Sequence, residues 1–389
     1  MKKISLVAMT AVAGLFATNA LAADLGGDCC ADLEERVAEL EATTARKGNR
    51  KVSLTVYGQV NTAVMFWESD DGVNGDGPLD ESNVYVVDPQ TTGTRFGFRG
   101  KADINSDWEA GFNIELQFQQ ADATRVTIDS DEGPELPEFR QAYWYLKSKT
   151  LGRIAVGQTD SANSAIAEID VSNASVADAM SSSAAGAAII TQIGGPAQNN
   201  FEYNRVNVVR YDTPTYQGFY VTASWGEDDL WDVALRYAGE LGGFKMAAGI
   251  AYGETTDTSN GAAGIADPAR EILNGGLSVM HTATGLFVTT SAGQREINGV
   301  EGEDWFWFVS GGIEQKWTPL GKTTLFGMGG EQDEIDRDTF HFWGLGVVQQ
   351  IDAAAMEVFL SYRSYEIDNG TGNDDIEFDT VVGGARIKF

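Results

Sequence analysis

From Val52 onward the chain alternates. Ser53, Thr55, Tyr57, Gln59 and Asn61 are interleaved with Leu54, Val56, Gly58 and Val60. Arg95, Gly97 and Arg99 alternate with Phe96 and Phe98, and Asn113, Glu115, Gln117 and Gln119 with Phe112, Ile114, Leu116 and Phe118. A period of two puts successive side chains on opposite faces of a strand. In a β-protein dissolved in water the apolar face would be the core. Here the polar face carries Arg, Glu and Gln, as a wet interior requires. Segments between turn signals predict strands at 52–67, 93–104, 108–121, 138–147, 152–159, 203–213, 218–226 and 231–239. They continue at 243–253, 272–281, 285–293, 305–317, 321–331, 340–351, 355–366 and 377–389. The expected fold is all-β: a 16-stranded antiparallel transmembrane β-barrel over residues 51–389.

The connections alternate in length. One set is short: Asn105-Ser106-Asp107, 148–151, 214–217, 240–242, 282–284 and Pro319-Leu320. The other set is long and mostly acidic; residues 68–92 and 366–379 hold many carboxylates and no Lys or Arg. Short turns face the periplasm and long loops the exterior in this architecture. The acidic loops are therefore external, where they are either a solvated surface or a place for divalent cations beside lipopolysaccharide phosphates. Aromatic residues cluster near strand ends: Phe66-Trp67, Trp144-Tyr145, Trp225, Trp231, Trp305-Phe306-Trp307, Phe340 and Phe342-Trp343. They are expected to form interfacial girdles.

Before residue 51 the pattern is different. Lys2-Lys3, the apolar run from Ile4 to Ala17 and Ala20-Leu21-Ala22 form a secretory signal over residues 1–22, with a mature start at Ala23-Asp24. In residues 23–50, Cys30, Leu33, Val37, Leu40 and Thr44 recur at helical spacing. This periplasmic segment is too short to be stable alone. Two readings stay open: a small coiled coil between copies held together by the barrel, or a single helix against the barrel mouth.

Composition fits an exported barrel: 45 Gly, 9 Trp, 12 Tyr and 19 Phe with only 8 Pro. No run approaches the length of a transmembrane helix. Adjacent Cys29 and Cys30 cannot staple a fold of this size. A net charge of −30 excludes nucleic acid as a partner. No metal-ligand cluster, phosphate loop or nucleophile motif appears, so no cofactor and no catalytic residue are expected. The two histidines, His281 and His341, fall at opposite ends of the barrel in this topology, which argues against an outer-membrane enzyme.

The sequence resembles the trimeric general porins, most of all their alphaproteobacterial branch. The resemblance rests on Cys29 to Glu41, on Tyr57-Gly58-Gln59-Val60-Asn61, on Thr94-Arg95-Phe96-Gly97-Phe98-Arg99-Gly100, on Gly152 to Gln158, and on Val209-Arg210-Tyr211-Asp212-Thr213-Pro214. It implies a homotrimer of barrels, each with its own pore. It also implies a third external loop, about residues 160–202, folded into the barrel as a constriction. A last strand ending in Phe389 matches barrels inserted by the outer-membrane assembly machinery. Some barrels of this kind are joined to peptidoglycan through a mature Ala-Asp N-terminus, which makes Ala23 a candidate attachment point.

The expected chemistry is a transverse field. Asp160, Glu168, Asp170 and Asp178 of the third loop would face Arg95 and Arg99 on the wall, with Arg140, Arg153 and Arg210 next by alternation. Each arginine could instead pair only with a neighbouring carboxylate. The Pro-Glu-Phe-Gly-Gly loop motif of enteric porins is absent, so no residue is carried over from that branch. The expected function is passive diffusion of small hydrophilic solutes and ions with weak cation preference. A substrate-specific channel is the alternative, to be marked by an aromatic slide or a lysine ladder.

Overall fold

The computed structural model describes residues 52–69, 81–89, 92–118, 121–131, 137–177, 185–193, 195, 200–256, 259–260, 266–267, 269–335, 339–368 and 375–389. The signal segment, the 23–50 helix with Ala23, Cys29 and Cys30, and Asp178 lie outside the described residues.

The first half of the barrel is β1 (Ser53–Ser69), β2 (Glu81–Val87), β3 (Arg95–Asp103), β4 (Trp108–Gln117), β5 (Glu138–Ser148), β6 (Gly152–Asp160), β7 (Arg205–Asp212), β8 (Phe219–Gly226) and β9 (Trp231–Leu241). The second is β10 (Phe244–Thr255), β11 (Arg270–His281), β12 (Leu286–Ile297), β13 (Asp304–Thr318), β14 (Gly321–Asp333), β15 (Phe340–Ile351), β16 (Met356–Ile367) and β17 (Ile376–Lys388). Every neighbour is antiparallel, and β17 pairs back onto β1 with Asn61 opposite Arg386. Closure leaves no open edge, which a bilayer requires because lipid cannot satisfy backbone groups.

Each of the 16 predicted strands is present. The acidic 68–92 connection adds β2, which pairs with the far half of β1 while β3 pairs with its near half. β2 and β3 thus share one barrel position. The break between them is filled by side chains: both Asp88 carboxylate oxygens accept from the Thr94 N–H (3.1 and 3.0 Å), and Thr94 Oγ1 accepts from the Asn61 N–H.

Exposure separates the two faces. Val60, Val64, Val84 and Val86 are half exposed, as lipid-facing residues are without their lipid, whereas Asn61, Met65 and Trp67 between them are buried. On the outer face near the long loops, Trp225, Trp231, Trp307 and Trp343 stand exposed. Trp231 Nε1 donates to Glu254 and Trp307 Nε1 to Glu331, an apolar ring with a wet edge. The girdle expectation holds for these, and not for their neighbours. Trp67, Phe306, Phe340 and Phe342 point inward and are at most 5% exposed.

The inward rings belong to a dry core inside the barrel. Met65, Trp67, Tyr85, Tyr365, Ile367 and Phe378 cluster with Ile189, Ile190 and Ile193 of the third loop. The loop forms a short helix here, α1 (Ala187–Gln192), entered through left-handed Gly186 at φ 88°. A helix this short is held by packing, not by its own propensity. Burying the three isoleucines contributes on the order of 5 kcal/mol. The second long loop adds to the lid: Ala123 and Val126 are buried, and the carbonyls of Ala123 and Thr124 accept from the N–H groups of Gly186 and Ala188.

Candidate functional site

The third loop leaves the wall after Asp160 and returns at β7. Its first residues, Ser161 to Ser164, are buried inside the barrel. A backbone in that position has no strand partner, so wall side chains must satisfy it. Arg210 Nη1 donates to the carbonyls of Asp160 (2.9 Å) and Ser161 (3.1 Å), and Arg236 Nη2 to those of Ala162 and Ser164. Lys245 reaches the carbonyl of Val171, and Arg363 that of Ala177. In the other sense, Asp232 accepts from the Asn163 N–H (2.7 Å) and Glu314 from the Asn173 N–H (3.1 Å). The loop therefore crosses the inner faces of β8 to β16.

Two wall glycines admit it. A Cβ at Gly276 would collide with the Ile166 carbonyl, and one at Gly249 would stand 2.7 Å from the Ile166 side chain. Gly276→Val should push the loop toward the pore axis at a cost of about 1–3 kcal/mol. The expected result is lower single-channel conductance with added current noise; an unchanged trace would mean the loop does not lie on this wall.

Two loop carboxylates act inside the loop and against its own wall. Asp170 is turned to the wall and to Ser172, its Oδ1 accepting from Ser278 Oγ and Thr289 Oγ1. Glu202 accepts from the N–H groups of Ala165 and Ala167 and so ties the two ends of the loop together. Burial, and next the Glu168 carboxylate, push the Glu202 carboxyl up to about 8. The fold thus favours its neutral form. That stabilisation is full below the ordinary value of 4.5 and is lost as pH rises through about 8. Current noise from a loosened loop should rise between pH 7 and 9, and Glu202→Gln should flatten that dependence.

Among the described residues the inner faces of β3 to β6 carry none of these loop contacts, and arginines gather there and on the adjoining β7. Glu115 holds Arg140 (2.8 Å) and Arg95 (3.9 Å) and accepts from Tyr57 Oη (2.9 Å). Arg140 reaches it because β5 is bulged against Glu115 and Leu116, which turns both Arg140 and Gln141 inward. Asp160, the last residue of β6, pairs with Arg205 at 3.7 Å and accepts from Gln141. Nearer the short turns, Asp212 holds Arg210 (2.9 Å) and Arg153 (3.5 Å). Arg99 lies over the Tyr57 ring, 4.7 Å from its centre. Glu357 of β16 holds Arg386 and Lys388 of the closing strand β17.

Of the arginines named from the sequence, Arg95 and Arg140 are thus brought onto one carboxylate and Arg153 and Arg210 onto another, with Arg99 alone between them. Of the loop carboxylates, Asp160 meets the arginine wall, Asp170 and Glu202 do not, and Glu168 accepts from Asn200. Arg205, Arg236 and Glu115 were missed as site residues. Glu115 and Arg236 sat on readable polar faces; Arg205 did not, since simple alternation turns it outward.

A family model described as Gram-negative porin matches residues 8–386. An outer membrane porin protein of Bordetella pertussis is 28% identical over 189 residues, 47% of this chain and 44% of that protein, so the match spans less than half of the relative's length. The anion-selective porin from Comamonas acidovorans has a similar structure, with a TM-score of 0.59 at 15% identity, covering 87% of this chain and all of that one. OmpT of Vibrio cholerae in its trimer form gives 0.55 at 13% identity, covering 87% and 99%. The outer membrane channel DcaP of Acinetobacter baumannii gives 0.54 at 14%, covering 89% and all of that chain. At these identities the structures share the fold alone.

Proposed function

This chain belongs to the Gram-negative porin family and is an outer-membrane β-barrel, and from that premise we propose that it passes small hydrophilic solutes and ions by passive diffusion. One observation carries the reading: a loop packed against the inner faces of β8 to β16 faces an arginine-rich wall on β3 to β7, of which it touches only Arg210 among the named arginines. Charged groups across a narrow opening orient polar solutes and disfavour apolar ones. The test is liposome swelling with neutral sugars of increasing size. The expected rates fall smoothly with size. One solute entering far faster than its size allows would favour a substrate-specific channel.

The histidines support a channel over an enzyme. His281 ends β11 beside Thr284, whereas His341 lies at the long-loop end between Glu331 and Asp368.

Ion preference follows from two opposed charges. The chain's net −30 and its acidic loops concentrate cations at the outer mouth, and the arginine wall offsets this within. We read the sum as a weak cation preference. Three copies per functional unit, and attachment of Ala23 to peptidoglycan, are proposed on the sequence resemblance.

Lipopolysaccharide is the proposed lipid partner. On the outer face near the long loops, Glu254 stands opposite Glu271, and Glu271 opposite Glu296. Like charges in direct register destabilise a sheet unless something neutralises them. Divalent cations shared with lipopolysaccharide phosphates would do so. In outer-membrane extracts a chelator should lower the unfolding temperature and calcium should restore it, with a smaller effect in Glu271→Gln; equal sensitivity would count against this row.

A further inference from the structure

We propose that the lumen holds a binding site for a small planar carboxylate, on the short-turn side of the arginine pair at Glu115, centred on Arg99. The inference rests on the channel reading above and adds a solute class to it.

The site is a cavity of about 520 Å³ whose lining includes Tyr57, Arg99, Asn113, Gln141, Tyr143 and Tyr145. Register puts all of these side chains on the inner face, since Thr55 is opposite Arg99, Arg99 opposite Asn113, and Asn113 opposite Tyr143. The volume lies in the range of small-molecule sites.

Arg99 selects charge. Its guanidinium is exposed, lies over the Tyr57 ring, and has no carboxylate or carbonyl partner among the described residues. The neighbouring wall guanidiniums differ. Arg95, Arg140, Arg153 and Arg210 each already face a carboxylate. A guanidinium presents a planar fork of donors that matches a carboxylate in two parallel hydrogen bonds. Stacking on Tyr57 orients that fork before any solute arrives, so less freedom is lost on binding.

The tyrosines select shape. Tyr57 lies over Gly97 and Tyr145 over Gly111; a Cβ at Gly97 would stand 2.7 Å from the Tyr57 ring, and one at Gly111 would overlap Tyr145. Rings seated on glycine lie along the wall and do not obstruct the lumen. Arg153 rests over both Tyr143 and Tyr145, extending the flat surface. Such a surface favours a planar solute over an aliphatic one of equal charge. Amide groups of Asn113 and Gln141 complete a polar rim. A neutral sugar would leave Arg99 without a counter-charge, so the anion is favoured.

The experiment uses the full-length protein and benzoate as probe, with acetate and benzyl alcohol as controls. Calorimetry on detergent-solubilised protein reads binding, and bilayer current in KCl reads the channel. Benzoate is expected to bind saturably and to reduce the KCl current over the same concentrations. Acetate should bind more weakly, since it lacks the ring, and benzyl alcohol more weakly still, since it lacks the charge. Arg99→Gln should raise the half-saturating benzoate concentration about tenfold, Arg99→Lys should fall between, and Tyr143→Leu should narrow the gap between benzoate and acetate. Full KCl current with no benzoate binding, or equal binding in wild type and Arg99→Gln, would overturn the site and leave the channel standing. Saturable, Arg99-dependent binding without KCl current would uphold the site and overturn the channel.

Discussion

Replacing residues 162–203 with a short glycine–serine linker is expected to raise single-channel conductance several-fold. The loop crosses the inner faces of nine strands, from β8 to β16, and its helix sits in a dry core with Trp67, Tyr365 and Phe378. Without it that half of the lumen becomes water. The barrel itself should survive, because its ladder runs from strand to strand and closes between β17 and β1 without the loop. The cost falls on the inner wall, where apolar rings would meet water at roughly 25 cal/mol per Å². Heat-dependent gel mobility and strand content by circular dichroism report whether the variant has folded. A folded variant with unchanged conductance would show that the loop does not limit the opening.

Arg140→Gln is expected to shift selectivity toward cations. Glu115 is nearly buried and shared by Arg95 and Arg140, so the group carries one net positive charge. Removing one guanidinium cancels that charge and leaves Arg95 to hold Glu115, with glutamine still able to donate to the carboxylate. At an ion passing ~6 Å away, a unit charge in a largely aqueous lumen is worth ~1 kcal/mol. That corresponds to about fivefold in each permeability, upward for potassium and downward for chloride, and so up to about 30-fold in their ratio. The effect should shrink as salt is raised toward 1 M, where screening shortens the reach of a charge to about 3 Å. Glu115→Gln should move the ratio the other way. Its stability should fall as well, because two partly buried guanidiniums lose their carboxylate. No shift in reversal potential for Arg140→Gln would place this group away from the ion path.

Alternation made most of the barrel legible, because lipid on one side and a wet lumen on the other write a period of two into each strand. β2 carries the same signal, with Val84 and Val86 outward and Tyr85 and Val87 inward, but it lies within a connection whose many carboxylates predict a loop. The inward aromatic residues were misread for a physical reason. Phe340 and Phe342 alternate as a girdle would, and sequence does not tell a ring facing lipid from one facing a dry lid inside the barrel. Arginines on the wall were readable as lumen-facing; most of their partners were not, since Glu115 takes Arg95 and Arg140, and Asp212 takes Arg153, from neighbouring strands. The course of the third loop was least accessible. It depends on contacts such as Asn163 with Asp232 and Asp170 with Ser278, some 70 to 110 residues apart, which no local pattern encodes. Glycines of the wall, Gly249 and Gly276, were the available hint that something packs against it.

The most direct test is the current through the purified, folded protein in a planar bilayer under a KCl gradient. A trimeric diffusion pore gives ohmic steps in groups of three, with a reversal potential slightly on the cation side. A folded barrel that inserts and carries no current would contradict it.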